Sequence, residues 1–235
     1  MERLQEYQLA IASDKCEWHR SRVNFLSYII SPQGVEMDQE KIRTVVEWEA
    51  PDLVKGVQSF LGFANFYQRF IEGYSKLTCP LTNLTKKLEK FFWSNECGRT
   101  FEELKQRFTS ASILRHYDPE LPYIIECDAS DFAIGAVLSQ EFEGRLHPVA
   151  FHSRKMNKHE INYEIHGKEL LAITAAFQEW RRYLEGARYK ISVYVRMSGI
   201  LKLFTHVGGR NRSCSESTCI SLVINHYVSI CHAYE

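Results

Sequence analysis

The stretch Tyr123 to Gln140, YIIECDASDFAIGAVLSQ, constrains the fold of this chain more than any other. Tyr123, Ile124 and Ile125 open an apolar strand, Phe132 to Leu138 supply a second, and only the polar turn Ala129-Ser130-Asp131 separates them. Strands joined so tightly pair antiparallel, so a hairpin is expected. Asp128 stands at the end of the first strand, where a charge is costly unless it is paired, hydrogen-bonded or bound to a metal. Two readings are open. Asp128 is a turn residue whose side chain bonds to nearby backbone, or it is a ligand in a site that other parts of the chain complete.

Upstream, Lys15 to Val35 alternates an apolar run with the turn Ser31-Pro32-Gln33-Gly34, as a hairpin does. Asp38 has the position of an N-cap, and Ile42, Val45 and Val46 line one face of a short helix that ends before Pro51. Leu53, Val57, Phe60, Ala64, Tyr67 and Ile71 follow at alternating intervals of four and three, the apolar stripe of a longer helix. Leu77, Leu81 and Leu84 continue the stripe after Gly73, and Phe101, Leu104 and Phe108 mark a further helix. Downstream of the central hairpin, Arg145 to Ser153 reads as a third strand, placed at a sheet edge by Pro148. Asn157 is expected to open a second long helix with Tyr163, Leu170, Ile173, Phe177, Trp180 and Leu184 on one face and Gly186 at its end. Tyr189 to Val195 is a last strand. The class is α/β (α+β overall): a small helical domain, then a mixed sheet with a flanking helix.

Lys+Arg and Asp+Glu both number 29, so no bulk charge announces a nucleic-acid partner and any such binding must be local. The 7 cysteines form no CxxC pair. Cys214, Cys219, His226, Cys231 and His232 match no zinc spacing. No window approaches the roughly 20 apolar residues of a membrane span, and no signal peptide is recognisable. An intracellular location, cytoplasmic or nuclear and not secreted, is expected, with no membrane partner.

DASDFAIGAVLSQ resembles the first strand pair of the ribonuclease H domain in gypsy-type LTR-retrotransposon reverse transcriptases. FLSYIISPQGV, VQSFLGFANFYQRFIEGYSKL, FEELKQRFTSASIL and NYEIHGKELLAI extend the resemblance, in the family's order, over residues 15 to 195. It implies the end of a polymerase palm at 1–37, a helical thumb- or connection-like domain at 38–113, a partial ribonuclease H-like domain at 114–197, truncated at its C-terminal side, and a divergent tail at 198–235. The palm's YxDD turn, which carries the polymerase aspartates, has no counterpart in residues 1 to 37.

By the same resemblance, Asp128 is the first catalytic and metal-binding carboxylate. Glu169, in His166-Gly167-Lys168-Glu169-Leu170-Leu171, is the second, with Gly167 where the family has Asp. Two Mg²⁺ ions about 4 Å apart would clamp the attacking water and the leaving oxygen, which demands several hard oxygen ligands. The family's third aspartate falls in Val193 to Ser198, where this chain has Arg196. A guanidinium there removes a ligand and repels the metal, and an ion pair with Asp128 is expected to close the site. Mg²⁺ binding and nuclease activity are accordingly expected to be weak or absent. Two alternatives stay open: an active ribonuclease H using Asp128 and Glu169 with Asp131 or Glu164, or a non-catalytic module that binds nucleic acid or protein. The resemblance implies an RNA–DNA hybrid or primer–template duplex as partner, together with the remaining polyprotein segments. Arg69, Lys76, Lys86, Lys87 and Lys90 are the candidates for phosphate contact.

Overall fold

In the computed structural model the described residues are 2–8, 10, 12, 16–86, 90–185, 187–189, 191–197 and 200–207, with backbone only at 2, 5, 197 and 200–207. Lys87, Gly186, Cys214, Cys219, His226, Cys231 and His232 lie outside them. A short helix, α1 (Glu2–Glu6), precedes a meander of β1 (Val23–Phe25), β2 (Tyr28–Ser31) and β3 (Gly34–Met37). The expected Pro32-Gln33 turn joins β2 to β3, with Ser31 opposite Gly34. The β1–β2 turn was not visible in the sequence. Leu26 and Ser27 both adopt positive φ, 50° and 62°, without the Asn or Gly that such a two-residue turn favours.

Asp38 caps α2 (Gln39–Val46) by accepting from the Glu40 amide at 3.0 Å. Val45 is buried, whereas Val46, expected on the same face, turns outward. The long apolar stripe belongs to α3 (Val54–Phe66) and the 3₁₀ turn Gln68–Phe70 that follows. Its middle residues Val57, Phe60 and Ala64 are fully buried; Leu53 is the exposed N-cap instead of an inward residue. Gly73, in the left-handed region at φ 64°, leads into α4 (Tyr74–Leu77), then α5 (Cys79–Asn83) and α6 (Asn95–Thr109). Phe101, Leu104 and Phe108 of α6 meet Phe60 and Leu81 in one apolar cluster, which also takes Met37 from β3 and Leu114. The Phe60 and Phe101 rings lie 4.6 Å apart.

A second cluster surrounds β4 (Tyr123–Ala129), β5 (Ala133–Phe142) and β6 (Arg145–Lys155), covered by α7 (Ile165–Glu179) and the short α8 (Arg181–Leu184). With β7 (Ile191–Met197) and β8 (Ile200–Val207) the sheet order is β6-β5-β4-β7-β8. β4 and β7 are parallel and the other pairs antiparallel, the mixed sheet expected. Pro148 lies on edge strand β6, where the register shifts between Leu138 and Ser139, so its missing N–H costs no ladder bond inside the sheet.

Asn157 does not open the long helix. Its side chain accepts from the His159 and Glu160 amides, both at 2.9 Å, and starts a 3₁₀ turn at Glu160–Asn162. Glu160 is held there by a forked pair with Arg154, at 2.8 and 3.0 Å, so the chain turns once more before α7 begins. Tyr163 therefore precedes the helix and is exposed, as is Tyr189 before β7. No helix among the described residues is long and apolar enough to cross a membrane.

Candidate active site at the ends of two parallel strands

Alternation along β4 sends Tyr123, Ile125 and Cys127 into the core under α7 and leaves Glu126 and Asp128 half-buried on the other face. Burial pushes the Cys127 thiol far above its usual range, with the neighbouring Asp128 and Glu126 carboxylates adding to the effect, so it stays protonated. The turn after Asp128 is tied by Ser130, whose amide and hydroxyl both donate to the Ala133 carbonyl, at 2.8 and 2.9 Å.

The parallel pairing of β4 with β7 sets Glu126 against Tyr194 and Cys127 against Val195. One residue further along, Asp128 and Arg196 stand next to last on the neighbouring strands β4 and β7. Both line a cavity of about 50 Å³, room for no more than a water or two. Glu72 and Gly73, at the start of α4, close that cavity from the helical side, and Glu126 adds a further carboxylate. Sequence reasoning missed Glu72 and Glu126; for Glu126 the signal was available, since it shares a strand face with Asp128. The expected ion pair between Arg196 and Asp128 is not made: among the described residues no salt bridge or hydrogen bond joins them, and the Arg196 side chain is exposed.

Glu169 lies on the buried face of α7, 3% exposed, with its Oε2 3.5 Å from His166 Nδ1. It is not among the residues lining the cavity at Asp128. α7 covers the sheet face that carries Cys127, and alternation along β4 sets Asp128 on the other face near the strand end. Of the acids considered as substitutes, Asp131 receives a bond from Lys168 Nζ only at its backbone carbonyl, 3.4 Å away, and Glu164 is the N-cap of α7. No group of three or more His, Cys, Asp or Glu among the described residues could hold a metal ion. The donor set around Asp128 does not fit a pair of Mg²⁺ ions, because Asp128 shares its cavity with the guanidinium-bearing Arg196.

The basic residues are spread over the helical part. Arg69 is half-buried, its guanidinium 5.9 Å from the centroid of the Tyr28 ring. Lys76, Lys86 and Lys90 are exposed. Lys155, at the end of β6, was not foreseen. Burial lowers its pKa, the Cys79 thiol opposes that, and the nearby Lys86 lowers it further.

Residues 93–193 match the family model of the RNase H-like domain found in reverse transcriptase. The Tf2-3 and Tf2-4 transposon polyproteins of Schizosaccharomyces pombe are each 40% identical over 186 residues, 79% of this chain. The chain belongs to the gypsy-type retrotransposon Pol polyproteins. It spans 14% of the length of these relatives. Among solved structures, the foamy viral protease-reverse transcriptase in complex with RNA/DNA hybrid superposes with a TM-score of 0.65 at 25% identity, over 78% of this chain and 25% of that one. The same enzyme in complex with dsDNA gives 0.63 at 25% identity, over 76% and 37%. This Pol segment is thus a piece of reverse transcriptase and ribonuclease H, with the helices and the mixed sheet arranged as in that fold.

Proposed function

We propose that this Pol segment holds an RNA–DNA hybrid or primer–template duplex and is deficient in hybrid cleavage. Its helical part, 38–113, would act as the thumb-like element and 114–197 as the ribonuclease H-like one. On this reading Asp128 and Glu169 hold the positions of the family's catalytic, metal-binding carboxylates, and Arg196 occupies the place of a third. The observation that carries it is the β4–β7 register, which sets a guanidinium beside Asp128 in one small cavity. A fixed positive charge that cannot deprotonate opposes a divalent cation there. The fit of the chain to foamy viral enzymes solved with RNA/DNA hybrid and with dsDNA supports the choice of ligand.

The experiment pairs Mg²⁺ titration by calorimetry with cleavage of a labelled RNA–DNA hybrid. The unmodified chain is expected to take up Mg²⁺ poorly and to leave the hybrid intact, while Arg196→Asp gains measurable Mg²⁺ binding. Robust cleavage by the unmodified chain that Asp128→Asn abolishes would replace this reading by an active ribonuclease H. Burial of Glu169 beside His166, unusual for a merely decorative glutamate, is what keeps that second reading in play.

A further inference from the structure

A groove of about 370 Å³ runs between α3, the α4–α5 pair and the end of β6. Gln58 and Asn65 line it from α3, and Lys155 is the one charged side chain among the described residues of its wall. Thr82 and Thr85 line it from the α5 side, both half-buried. Their protons are already engaged: Thr82 Oγ1 donates to the Thr78 carbonyl at 2.8 Å, and Thr85 Oγ1 to the Thr82 carbonyl at 2.7 Å. A hydroxyl has one proton and two lone pairs, so these oxygens offer the groove acceptors and no donor. Tyr74, in the same wall and 2% exposed, has a hydroxyl without a partner among the described residues. Lys86 adds a second cation near Lys155.

A fitting ligand must carry hydroxyl donors for the threonine oxygens, acceptors for the amides, and negative charge for the lysines. A ribose–phosphate strand has all three; a deoxyribose strand lacks the donors. We propose that this groove holds the backbone of an RNA strand, with Thr82 and Thr85 accepting from 2′-hydroxyls and Lys155 facing a phosphate. The inference rests on the nucleic-acid reading above and adds to it a preference for the RNA strand. Against DNA the threonine acceptors would lose water without gaining a bond, which is the source of the discrimination.

Fluorescence anisotropy with three probes of one sequence tests it: an RNA–DNA hybrid, a DNA duplex, and a hybrid whose RNA strand carries 2′-fluoro groups, which keep the sugar small but donate no proton. The unmodified chain should bind the first about tenfold more tightly than the other two. Thr82→Val with Thr85→Val should abolish the difference, lowering hybrid affinity while duplex affinity holds or rises as the unpaired acceptors are removed, and Ser at both positions should restore it. Lys155→Gln should weaken hybrid and duplex together and reduce the salt slope by about 0.9. Equal affinity of the unmodified chain for all three probes, or a double valine variant that weakens hybrid and duplex alike, overturns the RNA-strand preference and leaves nucleic-acid binding intact. Binding to none of the probes overturns both.

Discussion

His152 on β6 is packed beneath the end of α7: Nδ1 lies 3.8 Å from the Glu179 carboxylate, the ring meets the edge of Trp180, and Nε2 is buried with no partner among the described residues. Burial lowers its pKa, Glu179 opposes the shift, and Arg154 adds to it. The native state therefore favours the neutral ring. Above the ordinary histidine pKa of about 6.5 this has no effect on stability, since both states are neutral. As pH falls through that value the unfolded chain takes up the proton first, stability declines, and the loss levels off below the depressed native pKa. Thermal melts between pH 7.5 and 5.5 should show that decline, and His152→Phe should flatten it; an identical pH profile for the variant would exclude His152 as its source.

Elements with a strong local signal formed where the residues place them. The stripe of α3 and the three aromatic and leucine positions of α6 are buried together because a spacing of three and four is self-consistent only on a helix. Asn157 misled for a local reason: the same side chain can start an α-helix or a single 3₁₀ turn, and the bond from Arg154 to Glu160 decides for the turn. Gly34 shows an element fixed by a distant neighbour. At φ 145° a Cβ there would lie 2.2 Å from the Leu114 carbonyl oxygen, where β3 meets the segment leaving α6 through the reciprocal Val35–Leu114 bonds of 2.7 and 2.9 Å. Gly34→Ala should cost about 2 kcal/mol or more, measured by urea unfolding, since both the backbone conformation and the bridge must give. A change below a few tenths would mean that the bridge is not formed in solution.

At the scale of the whole molecule the helical cluster and the sheet are not independent. Phe151 of β6 packs against the helical cluster, the Ser75 amide donates to Ser153 Oγ at 3.0 Å, and the Arg115 amide donates to the Pro148 carbonyl at 2.9 Å. Coupling of this kind predicts one unfolding transition. Phe151→Asp, which sets a charge into the contact, should separate it into two, seen as tryptophan fluorescence and far-UV circular dichroism that no longer coincide. Charge balance makes a second prediction. With 29 basic and 29 acidic residues and a few exposed lysines on the helical part, hybrid binding should be weak and seen only at low salt, falling toward physiological salt with a modest slope of about 0.9 for each phosphate contact. Affinity that does not change with salt would remove the electrostatic account.

The sequence by itself determined the two apolar hairpins, the helices around Phe60 and Phe101, the edge position of Pro148 and the mixed α/β class, because each rests on interactions within a few residues or on one element's period. Only the tertiary structure decided what surrounds Asp128. Pairing β4 with β7 brings together residues that α7 and its loops separate in sequence, and a slip of one position would have turned Arg196 to the other face. Packing the α4 start onto the sheet supplied Glu72, which no spacing along the chain connects to Asp128. The missing ion pair between Arg196 and Asp128 has the same origin: tertiary packing sets side-chain direction, and motif order along the chain does not.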